Sequence, residues 1–186
     1  FSTPKSAFAN ISNALHKGIP VVAGTTGWLE KYQEAVAICE ASDTAFLYAS
    51  NFSIGVNIFF EINNILAKMM SSHPEYNVSI EEIHHTQKLD APSGTAITLA
   101  EQIIKNSDKK GWKLGEATQS EIPITAQRIE NVPGTHTVLY QSPIDTIEIK
   151  HTAHSREGFA LGAVLAAEWL VKRKGVFSMK DVLFHQ

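Results

Sequence analysis

The chain has 186 residues, 44% of them hydrophobic and 19% charged, a globular composition that excludes a disordered chain and suffices for a buried core in one domain or two small ones. The net charge is -3 with no stretch rich in Lys or Arg, so nucleic acid, which selects a concentrated basic surface, is excluded as the expected partner, whereas a small anion needing only a few local cations is not. The single cysteine, Cys39, cannot form an intramolecular disulfide and is expected to be a buried apolar residue in a reducing cytoplasm.

The chain opens on Phe1-Ser2-Thr3-Pro4 rather than Met, in mid-pattern, which suggests a processed chain or a fragment. Pro4 suits the first turn of a helix, where its missing N–H does no harm. Phe8, Ile11 and Leu15 follow at helical spacing, and Gly18 suits the stop. Residues 19–23 are short, apolar and β-branched, and predict a buried strand ended by Gly24-Thr25-Thr26-Gly27. A second helix is predicted with Leu29, Tyr32, Val36 and Cys39 on one face. Residues 45–49 predict another strand, followed directly by Asn51-Phe52-Ser53. Alternating strands and helices of this kind indicate a parallel sheet covered by helices, in which ligands bind at the carboxyl ends of strands. Both Gly24–Gly27 and Ser50–Ser53 fall at such ends.

Residues 54–70 predict a long helix, too polar at Glu61, Asn63, Asn64 and Lys68 to span a membrane. Residues 78–84 predict a strand, 86–93 a loop, and 95–106 a helix with a stripe of Ala96, Ala100, Ile103 and Ile104. Residues 107–121 are polar and predict a mobile surface loop. From residue 122 the texture becomes strand-rich, with strands at 122–129, 136–141 and 146–152 and turns at Pro133-Gly134 and Ser142-Pro143. Residues 157–172 predict a helix, with Gly175 after it. Three Asn-x-Ser sequences, at Asn10, Asn51 and Asn77, come without a secretory signal and read as chance matches. No repeat or low-complexity segment interrupts the pattern.

The densest chemistry runs from Glu82 to Ala96. Strand alternation puts Val78, Ile80, Glu82 and His84 on one face, with Glu81, Ile83 and His85 on the other. His84 therefore shares the side of Val78 and Ile80, and apolar surroundings are expected to keep its pKa near neutrality, as proton transfer requires. Lys88 follows in the loop and offers both charge and a proton. Gly94 and Thr95 open a helix, whose free N–H groups attract a carboxylate, and Gly94 allows close approach. Asp90 and Ser93 are expected to cap and shape the loop. Adjacent strand residues point opposite ways, so His84 and His85 are not expected to chelate one ion, and no metal is expected.

Glu82-x-His84-His85-x-x-Lys88-x-Asp90-Ala91-Pro92-Ser93-Gly94-Thr95-Ala96 resembles the signature of the 4-hydroxy-tetrahydrodipicolinate reductase family, also called dihydrodipicolinate reductase. Further segments match in family order. Gly24-Thr25-Thr26-Gly27 looks like the nicotinamide-proximal loop and Ala49-Ser50-Asn51-Phe52-Ser53 like the second cofactor loop. Ser155-Arg156 with Phe159-Ala160 resembles the segment opening the last long helix, and residues 175–183 the closing stretch.

The resemblance implies a Rossmann-like dinucleotide-binding part over residues 1–50, lacking its first βαβ unit. It implies an α+β substrate-binding and oligomerisation domain with a mixed sheet over 51–156, and a C-terminal helix returning to the nucleotide part over 157–186. The implied reaction removes water from a cyclic dicarboxylate imine and reduces it with NADH or NADPH, in lysine and diaminopimelate synthesis. By this resemblance His84 is the acid/base residue and Lys88 the proton donor. His85 contacts one substrate carboxylate, and Gly94 and Thr95 hold the other. Gly24, Thr25, Thr26, Ala49, Ser50, Asn51 and Phe52 contact the cofactor, and Arg156 joins at the closed site. The implied assembly is a cytoplasmic homotetramer, without nucleic acid or membrane.

The family's opening glycine-rich turn, which cradles pyrophosphate, is not in this sequence, so weak cofactor binding and an unpaired edge at residues 19–23 are expected. A non-catalytic substrate-binding and tetramerisation fragment is the alternative. A relative of aldehyde or homoserine dehydrogenases ranks below both, because those lack the double His followed by Lys and Asp-Ala-Pro-Ser-Gly-Thr.

Overall fold

A computed structural model describes residues 1–184. In chain order the elements are α1 (Pro4–Leu15), β1 (Val21–Ala23), a 3-10 turn (Leu29–Lys31), α2 (Tyr32–Ala41), β2 (Ala45–Tyr48), α3 (Ile54–Met70) and β3 (Asn77–His84). Then come α4 (Gly94–Lys105), β4 (Gly111–Leu114), β5 (Glu121–Arg128), β6 (Gly134–Gln141), β7 (Thr146–Ala153), α5 (Glu157–Leu170), β8 (Gly175–Phe177) and α6 (Met179–Phe184). They divide into two compact units, residues 1–57 with 157 onward, and residues 58–156. Among the described residues no helix is long and apolar enough to cross a membrane.

The first unit is a three-stranded parallel sheet in the order β1-β2-β8. Alternation along β2 builds two cores. Phe46 points into one with Ala7, Ile11, Leu15, Ala35 and Cys39 from α1 and α2. Ala45 and Leu47 point into the other with Phe52, Ala166, Leu170 and Met179. This is a helix–sheet–helix sandwich, as the strand–helix alternation predicts, with β1 at one edge of the sheet. Leu29 departs from the expected helix stripe. It lies in the 3-10 turn, 48% exposed, and α2 instead buries Ala35 and Cys39. The reason is that α2 begins three residues later than the apolar spacing suggests. Burial pushes the Cys39 thiol up, in keeping with a packing residue.

The second unit is a five-stranded mixed sheet in the order β4-β5-β3-β6-β7. β4, β5 and β3 run parallel, while β6 and β7 are antiparallel neighbours. Its core joins Val78, Ile80, Ile122, Ile124, Val138 and Tyr140 of the sheet to Phe59 and Ala67 of α3 and Ala96, Leu99, Ala100 and Ile103 of α4. Leu99 takes the fully buried place expected of Ile104, which only flanks the core.

The expected loop at 107–121 is corrected, because it contains β4. Four residues in a polar setting carry little periodic signal, and it is pairing with β5 that fixes them as a strand. β8 was likewise not legible as a strand, since three residues after a glycine show no period. It forms by adding to β2, with Gly175 N–H donating to Thr44 O at 2.9 Å.

Candidate active site

The register of the second unit's sheet places its polar residues in rows. Ile80 lies beside Ile124 and Val138, and Val138 beside Ile149. The next row on the same face is Ala126, Glu82, His136 and His151. In the row after that, His84 lies beside Arg128. The face thus changes from apolar to charged toward the carboxyl end of β3. Gly134 sits at the His84 end of β6, where a Cβ would come 3.2 Å from His84 Nε2.

Glu82 is the hub. It is fully buried. Its Oε2 accepts the Ser93 N–H at 2.9 Å, and its Oε1 accepts from Arg128 Nη2 at 3.2 Å. His84 Nδ1 and His136 Nε2 lie 3.6 and 3.7 Å from Oε2. Ser93 Oγ lies 3.0 Å from His136 Nε2 and accepts the Ala96 N–H, capping α4 as expected. Arg128 donates from Nε to Lys88 O and from Nη2 to Asp90 O. One buried carboxylate therefore ties together the end of β3, the start of α4 and the loop carrying Lys88.

The charge states follow from this packing. Burial pushes the Glu82 carboxyl up, but His136, the Ser93 contacts and His84 outweigh it and hold the group down at about 2. At 3.7 Å His136 is beyond normal hydrogen-bond reach of the carboxylate, so its influence acts through space. Burial, then the neighbouring His136, pushes His84 down to about 4 against the opposing pull of Glu82. This corrects the expectation of a pKa near neutrality. The expected apolar surroundings are in fact a carboxylate and a second imidazole, with ring centroids 4.9 Å apart. The carboxylate makes no normal hydrogen bond to His84 that could offset desolvation, and Nδ1 is buried without a hydrogen-bond partner.

Donor atoms of Glu82, His84 and His136 lie within 4.8 Å of one another, a spacing that two imidazoles and a carboxylate use to hold a divalent cation. Here Arg128 already supplies positive charge to that carboxylate.

Of the other expected residues of this unit, Lys88, Gly94 and Thr95 adjoin the hub, while His85 and Arg156 line a cavity to which none of the hub residues contributes. Lys88 Nζ donates to both carboxylate oxygens of Asp90, at 2.8 and 2.9 Å. Lys88 holds the Asp90 carboxyl below its usual range. Gly94 and Thr95 form the first turn of α4, ahead of Ala96 and Ile97, whose N–H groups Ser93 accepts. A Cβ on Gly94 would meet open space. His85 and Arg156 line one cavity of about 330 Å³ with Gln87 and Asn131. The larger cavity, about 690 Å³, lies at the opposite end of β3, against Asn77, Val78 and Tyr140, and holds none of the expected residues.

The remaining expected residues belong to the first unit. Gly24, Thr25 and Thr26 follow β1, and Ala49, Ser50, Asn51 and Phe52 follow β2. Parallel register sets Ala23 beside Tyr48, and Ala49 N–H donates to Ala23 O at 3.1 Å, so the two loops leave the sheet side by side. Asn51 Oδ1 accepts the Ser53 N–H at 2.9 Å, and Asn57 Nδ2 donates to Asn51 O at 3.0 Å. A Cβ on Gly162 of α5 would collide with Phe52 O, so the helix presses directly on this loop's backbone.

Glu82, Arg128 and His136 were not singled out as site residues from sequence. Glu82 and Arg128 carried a signal, because each occupies an inward position of its strand where an unpaired charge is costly. His136 carried none beyond the same alternation.

A family model described as "Dihydrodipicolinate reductase, C-terminus" matches residues 55–183, and one described as "Dihydrodipicolinate reductase, N-terminus" matches residues 1–52. The 4-hydroxy-tetrahydrodipicolinate reductase of Christiangramia forsetii is 64% identical, covering 98% of this chain and 77% of the relative. The enzyme of that name from Archaeoglobus fulgidus is 39% identical, covering 98% and 74%. Among solved structures, dipicolinate-bound dihydrodipicolinate reductase from Paenisporosarcina sp. TG-14 superposes with a TM-score of 0.77 at 25% identity, over 96% of this chain and 69% of that one. On the matches to both halves and the 64% identity, the chain belongs to the 4-hydroxy-tetrahydrodipicolinate reductase family of NAD(P)H-dependent oxidoreductases.

Proposed function

We propose that this chain reduces 4-hydroxy-tetrahydrodipicolinate to tetrahydrodipicolinate, with His84 as acid/base residue and Lys88 as proton donor. The observation that carries the reading is the Glu82 hub, which gathers His84, the Lys88 loop and the amide-bearing start of α4 around one buried carboxylate. A cyclic dicarboxylate needs anion-holding groups and a proton source at one place. The first-turn amides of Gly94 and Thr95 suit one carboxylate, and His85 with Arg156 suits the other. Dipicolinate, which the Paenisporosarcina reductase binds, is a planar dicarboxylate of this shape.

The cofactor-loop residues fit a nicotinamide group. Two adjacent turns at strand carboxyl ends present backbone and polar side chains, with the Phe1 ring packed directly against Gly24. NADH or NADPH, when bound, supplies the hydride. The protein's own work is to hold the ring, to let Lys88 leave Asp90 and protonate it, and to move a proton at His84 as water departs.

In domain terms, residues 1–50 belong to a dinucleotide-binding domain. Residues 51–156 form the substrate and oligomerisation domain, and 157–186 return to the nucleotide part. The exposed β7 residues Glu148, Lys150 and Thr152, on one face of the edge strand, are the surface for a cytoplasmic homotetramer.

The test uses the full natural chain. Substrate-dependent oxidation of NADH and NADPH is expected, and His84→Ala and Lys88→Ala are expected to lower kcat on the order of 10²–10⁴-fold with folding intact. Near-normal rates in either variant overturn the assignment of that residue. A protein that binds pyridine-2,6-dicarboxylate by calorimetry but oxidises neither cofactor would favour the non-catalytic alternative.

A further inference from the structure

We infer that Glu82 is a positioning residue for His84: its buried carboxylate keeps the imidazole proton on Nδ1, so that Nε2 is the nitrogen that exchanges a proton with substrate. The inference rests on the acid/base reading of His84. Glu82 is a fully buried acid facing the proposed catalytic histidine.

The carboxylate cannot turn freely. Ser93 N–H holds Oε2 from the start of α4, and Arg128 holds Oε1 from β5. His84 Nδ1 faces Oε2 at 3.6 Å and is sealed from solvent with no other partner. A neutral imidazole carries one proton, on one nitrogen or the other. A bare lone pair on Nδ1 would face a fixed negative oxygen across a dry gap, which is repulsive. A proton there is attracted to the same oxygen, and interactions of this kind are strong where water is excluded. The Nδ1–H tautomer is therefore selected, and its lone pair lies on Nε2.

Gly134 of β6 lies against the Nε2 side of the ring, where a Cβ would stand 3.2 Å from Nε2. When Nε2 takes up a proton the ring becomes a cation, and Glu82 is the anion facing it. The other charged or titratable groups acting on His84 are His136 from β6, Lys88 from the loop after β3 and Arg128 from β5, and each of these opposes the cation. Glu82 thus both selects the tautomer and offsets three unfavourable neighbours.

The experiment is long-range proton–nitrogen NMR of His84 in the full natural chain, together with the kinetics of Glu82→Gln and Glu82→Asp. In the unsubstituted protein the Nδ1–H form is expected to dominate, and a dominant Nε2–H form overturns the inference without any variant having to fold. Glu82→Gln is expected to mix the tautomers, to lower kcat on the order of 10²-fold with KM within about threefold, and to move the acid limb of the rate profile to lower pH. Glu82→Asp should recover part of the rate. A folded Glu82→Gln protein with the original tautomer and rate overturns the inference. Normal turnover by His84→Ala instead removes the acid/base reading, while the NMR result still reports on the Glu82–His84 pair.

Discussion

The two units handle polar groups in opposite ways. In the first, the sheet interior is apolar on both faces, and the candidate ligand groups are turns beyond the strand ends, held by backbone hydrogen bonds and close packing. In the second, ionisable groups stand inside the sheet, with Glu82, His84 and His136 buried in adjacent rows. A ligand that needs only shape and backbone contacts can be met by loops. A proton-moving site needs groups in a fixed, dry environment, and burying them makes their stability depend on pH and on one another.

The largest expected effect separates the units by acid. His84 sits at about 4 when folded against 6.5 in its ordinary state, so it binds a proton more readily unfolded. The stability this reflects is present above pH 6.5 and lost as pH falls toward 4. Glu82 sits at about 2 against 4.5, so its contribution is present above pH 4.5 and lost toward pH 2. Each shift corresponds to roughly 3 kcal/mol. Hydrogen exchange followed segment by segment should show β3, β5 and β6 losing protection between pH 6.5 and 3 before β1, β2 and β8 do. Equal loss in both sheets would contradict the contrast.

Removing one partner of the buried charge comes next. Arg128→Met leaves Glu82 in place without its guanidinium, and Arg128 is 21% exposed, so a cost of about 2–3 kcal/mol is expected, somewhat below that of a fully buried pair. Denaturant unfolding monitored in the second unit measures it, and a cost under about 0.5 kcal/mol would mean that solvent already compensates Glu82. The matching change in the first unit is steric. Gly162→Ala drives a methyl group into Phe52 O, and about 1–3 kcal/mol is expected, with faster exchange at residues 49–53.

This contrast also explains how much could be read from the sequence. The first unit's sandwich follows from local signals, because each strand is a short apolar run and each helix has its own stripe. The mixed sheet's long strands were equally legible, with α3 matching residues 54–70 throughout. β4 and β8 were not, since a three- or four-residue strand exists only through its neighbour. In the site, Glu82, His84 and Ser93 lie within a dozen residues, and alternation put Glu82 and His84 on one face. Arg128 and His136 reach the same carboxylate from other strands, and only the pairing of β3 with β5 and β6 brings them there. Burial, and after it the late-arriving His136, push the His84 pKa down, so a strand read alone gave the wrong environment.

The smallest expected effect isolates burial as the cause. Lys174 pairs with Asp43 in the first unit, so the contact is again a cation on a carboxylate, like that of Arg128 with Glu82. Here the side chains are 64% and 74% exposed, and water solvates either charge when its partner is removed. Lys174→Ala is therefore expected to change stability by no more than about 0.5 kcal/mol, and added salt should erase even that. If Lys174→Ala cost as much as Arg128→Met, the pairing itself rather than its dry setting would govern the second unit's stability, and the reason offered for its acid sensitivity would fail.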